Sequence, residues 1–162
     1  MHGLIIATVG GERYALRMTL PAYFTLPDVG ALLRRLAGGT FTMEDVRSVW
    51  RACHQGGPLA GLEAVEAAGL AGLREAALWA AMAISAGLTD PDGKHEPGGD
   101  DDTDLADIYQ TGFAIGLKPR EVDQMTPWEF AQCVKGWAML HGEQKDEAPG
   151  QDELAELFGR YG

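Results

Sequence analysis

A chain of 162 residues with 46% apolar residues is long enough for one domain with a real core, or one domain and a small appendage. Its net charge of −11, from 24 acidic against 13 basic side chains, leaves no basic patch to neutralise phosphates, so no nucleic-acid partner is expected. No uninterrupted run of about 18 apolar residues occurs and no basic stretch marks the first residues Met1-His2-Gly3-Leu4, so neither a membrane span nor a secretory leader is expected.

The first element is a β-branched run, Leu4-Ile5-Ile6-Ala7-Thr8-Val9, followed by Gly10-Gly11. A second run places Tyr14, Leu16, Met18 and Leu20 at alternate positions. Two such runs around Gly-Gly predict a β-hairpin whose second strand reaches Leu20. An isolated hairpin is marginal in water, so it must pack on helices.

After Pro27 the pattern is helical. Val29, Leu32, Leu33 and Leu36 share a face and Gly38-Gly39 supplies the stop. Thr42 and Asp45 have the spacing of a capping box, ahead of a stripe of Val46, Val49, Trp50 and Cys53. Gly56-Gly57-Pro58 ends that helix. A short helix over 59–68 stops near Gly69, and a long Ala- and Leu-rich helix over 70–86 lines one face with Leu73, Ala77, Ala80, Ala81 and Ile84.

Acidity is unevenly placed. Residues 1–88 hold seven acidic and seven basic side chains, whereas 89–104 hold seven acidic against Lys94 and 143–156 hold six against Lys145. Segment 89–104 has Pro, Gly and charge but no aromatic residue, and reads as an acidic flexible linker. Residues 143–150 read as a second flexible stretch, and 152–158 as a short amphipathic helix showing Leu154, Leu157 and Phe158. The fold class that follows is α+β, mostly α. Residues 1–88 form a hairpin packed on a helical bundle, 89–104 a linker, 105–142 a C-terminal helical hairpin and 143–162 an acidic tail.

The C-terminal unit is the most informative segment. Helices are predicted over 105–117 and 127–141. Gly116 suits the left-handed end of the first, and Pro119 the first position of a short new turn. Thr126-Pro127-Trp128-Glu129 is a second start signal, with a hydroxyl cap, a residue that needs no N–H, and a carboxylate able to reach back. Phe130, Val134, Trp137, Met139 and Leu140 then follow at roughly helical spacing.

A small helix, Gly116-Leu117, a Pro turn, Met125-Thr126-Pro127, an aromatic-acidic-aromatic helix start and a stop at Gly142 together resemble the C-terminal segment of tail assembly chaperones. These serve long-tailed bacteriophages and phage-like gene transfer agents. The resemblance is strongest over 105–142. Phe41-Thr-Met-Glu-Asp-Val46 with its Gly-Gly-Pro break is similar to the N-terminal part, and the two parts look fused in one reading frame. Pro21 and Pro27 depart from a region that the family usually keeps helical. The resemblance implies a chaperone that binds the tape-measure protein, helps recruit tail-tube subunits, forms homo-oligomers, works in the bacterial cytoplasm and is absent from the mature particle. Aromatic side chains that open a helix on so small a unit point to contact with a partner, and Trp128, Phe130, Met125 and Trp137 are put forward as partner-binding residues. The alternative is a structural tail or head-tail connector subunit retained in the particle.

Residues for chemistry are not assembled in the sequence. A phosphate-binding Gly-x-x-x-x-Gly-Lys-Ser/Thr loop and a Gly-x-Ser-x-Gly elbow are absent. His2, His54, His95 and His141 lack zinc-ligand spacing, and Cys53 and His54 point about 100° apart on a helix. Asp90, Asp92 and Gly93 fail as a calcium loop because Lys94 takes the fifth position. No catalytic residue, metal or cofactor is expected. Cys53 and Cys133 read as buried thiols of a reducing compartment.

Overall fold

The computed structural model describes residues 2–90 and 103–142. The linker residues 91–102 and the tail residues 143–162, including the helix expected over 152–158, lie outside the described residues.

Strands β1 (Leu4–Val9) and β2 (Glu12–Arg17) form an antiparallel hairpin in register from Leu4↔Arg17 to Val9↔Glu12. Gly10 and Gly11 both have positive φ, 60° and 85°, as a two-residue turn matching the strand twist requires. Ala7, Val9, Leu16 and Met18 are buried on the inner face. The strand pattern stops earlier than the alternation predicts. Thr19 caps a new helix, α1 (Leu20–Thr25), its hydroxyl accepting the Ala22 N–H at 3.4 Å, with Pro21 in the first turn. Leu20 is therefore a helix residue. A hydroxyl followed two residues on by proline is a start signal that outweighed the period-2 pattern.

Helix α2 (Val29–Gly38) is capped by Asp28 and ends at Gly39, whose φ of 75° is the left-handed stop. Helix α3 (Met43–Cys53) opens on the Thr42–Asp45 capping box, with both reciprocal bonds formed. Helix α4 (Pro58–Leu88) joins the two segments predicted on either side of Gly69, where the backbone leaves helical geometry (φ 59°, ψ −166°). By length and composition alone α4 could cross a membrane, and 33% of its apolar 18-residue stretch is buried. Here it is the central core helix. Ala76, Ala77, Ala80, Ala83 and Ile84 are fully buried against the hairpin, α2 and α3.

Close approach explains the small residues of α4. A Cβ on Gly61 would stand 2.2 Å from the Trp50 carbonyl oxygen, and one on Gly87 would stand 2.5 Å from Met18 Cβ. Trp50, fully buried on α3, donates its indole N–H to the Ala76 carbonyl at 2.9 Å, which ties α3 to α4.

The C-terminal segment supplies α5 (Leu105–Ala114), α6 (Pro119–Gln124) and α7 (Pro127–His141). Asp104 and Asp107 form a capping box on α5. Gly116, at φ 88°, ends that helix in the left-handed region. The chain is thus mostly helical, with an N-terminal two-stranded hairpin packed on helices.

Candidate partner-docking surface

The start of α7 is fixed by short-range chemistry. Thr126 Oγ1 accepts the Glu129 N–H at 3.2 Å, and the Glu129 carboxylate accepts the Thr126 N–H at 2.8 Å. Glu129 also faces the helix N-terminus with its negative charge, the favourable sign there.

Long-range contacts then seat this start against the N-terminal part. Arg17, on β2, donates from Nη2 to both oxygens of the Glu129 carboxylate, at 2.8 and 2.9 Å. The same guanidinium donates to the carbonyls of Gln124 and, at 3.0 Å, of His2. Arg17 is only 6% exposed, so its charge is compensated by a carboxylate and two carbonyls rather than by solvent. The Leu20 N–H donates to the Met125 carbonyl at 2.8 Å.

A second apolar cluster sits beneath. Leu20, Val122 and Phe130 are its buried centre, with Phe24, Ile108, Tyr109, Leu117, Met125 and Val134 around them. Gly112 lets α5 approach, since a Cβ there would meet Val122 at 2.8 Å. The Tyr109 hydroxyl donates to the Asp123 carboxylate, which joins α5 to α6.

The four residues put forward for binding therefore have different surroundings. Phe130 is buried among Leu20 and Val122, and Met125 packs beside them half-buried. Trp128 is half-buried, its ring 4.4 Å from that of His2 at a 44° tilt; its indole nitrogen is buried, and no described protein group accepts its proton. Trp137 stands apart at 41% exposure, stacked on His141 at 4.6 Å. Its neighbours Met139 and Leu140 are more exposed still, at 66% and 82%. Met125 and Phe130 thus face the inner cluster and Trp128 packs on His2, whereas no described residue covers the apolar side chains in the last turns of α7.

The sequence pointed to neither Arg17 nor His2, because each acts across the whole chain with no local signature. A shallow groove between α3 and α4 was likewise unforeseen. Leu59 and Leu62 line it together with the Arg47–Glu66 and Arg51–Glu44 ion pairs.

Burial shifts two titratable side chains near the main core. Burial pushes the Cys53 thiol up to about 12, and its sulfur contacts that of Met18 at 4.0 Å. His54 Nδ1 accepts the Gly56 N–H at 2.9 Å, and partial burial lowers its pKa from the ordinary value. Among the described residues no group of three His, Cys, Asp or Glu side chains is placed to hold a metal ion. Compared with protein families, with curated proteins and with solved structures, the chain matches none of them.

Proposed function

We propose that this protein is a non-enzymatic assembly chaperone of the phage or gene transfer agent type, acting in the bacterial cytoplasm. It binds the largely helical tape-measure protein and helps recruit tail-tube subunits. The observation that carries the reading is α7, a helix whose start is locked by Thr126, Glu129 and Arg17 and whose far end carries Trp137, Met139 and Leu140 exposed among the described residues. A rigidly aimed apolar helix end is suited to dock on a partner helix, and exposed aromatics are the usual anchors of such contacts.

Co-expression of the full chain with a tape-measure protein, followed by affinity capture, tests the reading. The wild type should retain the tape measure. A Trp137→Ala, Leu140→Ala double variant with unchanged circular dichroism should retain it at least about tenfold less well. Failure of the wild type to retain it sinks the proposal. Mass spectrometry of purified particles tests the distinction from a structural subunit, because a chaperone is missing from them.

A further inference from the structure

We infer that the free edge of β1 is a self-association site, where two copies of this chain pair their β1 strands antiparallel about Ile5 to make one four-stranded sheet. The inference does not depend on the chaperone reading.

A two-stranded sheet has two edges, and here they differ. With Val9 opposite Glu12 across a two-residue turn, bonds are exchanged between the strands at Val9–Glu12, Ala7–Tyr14 and Ile5–Leu16. The alternate residues, Leu4, Ile6 and Thr8 on β1 and Arg13, Ala15 and Arg17 on β2, turn their backbone groups outward. The β2 edge is closed by the chain after α3. Gln55 donates its N–H to the Ala15 carbonyl at 2.9 Å, and Leu16 makes an antiparallel bridge with His54.

On the β1 edge the Thr8 carbonyl accepts the Trp79 indole N–H at 3.0 Å. At the other end the His2 carbonyl is taken by Arg17. Between them, the outward groups of Leu4 and Ile6 have no hydrogen-bond partner among the described residues. Their side chains are accessible too, at 38% and 42% exposure.

This window selects its occupant. It offers two residues spaced two apart, and a copy of the same strand related by a two-fold axis through Ile5 offers the same two in reverse. Leu4 then pairs with Ile6 of the copy, and Ile6 with its Leu4. All four outward groups of each strand are satisfied without disturbing Thr8 or His2. The four aliphatic side chains of Leu4 and Ile6 meet on one face of the seam, where cross-strand pairs stabilise a sheet.

Charge agrees. β1 has no ionisable residue, so two copies meet there without repulsion although each chain carries −11. Natural edges are usually blunted by a charge, a proline or a bulge. β1 has none of these within Leu4–Val9.

Sedimentation equilibrium on the full chain tests the inference at concentrations up to about 100 μM, the range of a weak but specific dimer. The wild type should sediment at twice the chain mass. Ile6→Lys and Ile6→Pro should each be monomeric, with circular dichroism unchanged; the Ile6 N–H points away from β2, so proline there spares the hairpin bonds. Ile5→Cys should cross-link to a dimer under mild oxidation while the wild type does not. Directly opposed residues of a non-bonded pair lie about 4.5 Å apart, within disulfide reach. A monomeric wild type, or a dimer that survives both Ile6 variants, overturns the inference, as does an Ile5→Cys dimer that does not cross-link.

Discussion

Arg17 shows how much one buried charge can organise. It sits on a strand, yet its partners belong to the N-terminal turn, the end of α6 and the first turn of α7. Removing one member of such a pair strands the other without compensation, so Arg17→Ala should lower unfolding stability by about 3 kcal/mol, measured in urea. Replacing both members with Arg17→Met and Glu129→Leu should cost less than the two single losses added together. Additive losses would show that the two side chains act independently. Asp45 gives a pH-dependent counterpart. Hydrogen bonds from the Arg35 guanidinium, then from the Thr42 backbone N–H, hold its carboxyl down to about 2. A depressed carboxyl stabilises the fold above its unfolded pKa of about 3.9, and that contribution is lost as pH falls through the folded value. Asp45→Asn should therefore flatten the stability profile between roughly pH 4 and pH 2. An unchanged slope would place the acid sensitivity elsewhere.

At the scale of elements, glycines separate packing from propensity. Gly61 marks the point where α4 meets the backbone of α3, with 2.2 Å left for a Cβ beside the Trp50 carbonyl. Backbone cannot yield as a side-chain tip can, so Gly61→Ala should destabilise by about 2–3 kcal/mol. Gly136 lies inside α7, and a Cβ added there would meet nothing within 4 Å. At that position alanine only restricts the unfolded chain and suits the helix, so Gly136→Ala should stabilise by about 0.5–1 kcal/mol. Thermal melts of the two variants shifting in the same direction would contradict this account.

For the whole molecule, the question is how firmly α5–α7 are held by the hairpin and the helices of the N-terminal part. Their apolar contact centres on Leu20, Val122 and Phe130, a far smaller cluster than the main core. Leu20→Ala should therefore act on one side of the molecule more than the other. Hydrogen exchange in α6 and α7 should accelerate by about tenfold or more, while α3 and the second half of α4 keep their protection. Equal acceleration everywhere would mean that the two clusters unfold as one unit.

The sequence by itself determined what depends on neighbours a few residues apart. The Gly10-Gly11 turn, the capping boxes at Thr42 and Thr126, the break at Gly69 and the end at Gly116 are all of this kind, because a cap or a positive φ is settled within one turn of chain. It also placed Phe130, Val134 and Trp137 together on one stripe of α7. Only the tertiary structure decided which part of that stripe is covered. α1 is six residues, about 9 Å of helix, so among the described residues Leu20 and Phe24 reach the first turns of α7 and leave Trp137, Met139 and Leu140 exposed. The local alternation that extended β2 to Leu20 misled for the same reason, since Leu20 turns toward residues more than a hundred positions away. Arg17 and Glu129 are separated by 112 residues, and no periodicity or spacing encodes a partnership that exists only once the chain has folded back on itself.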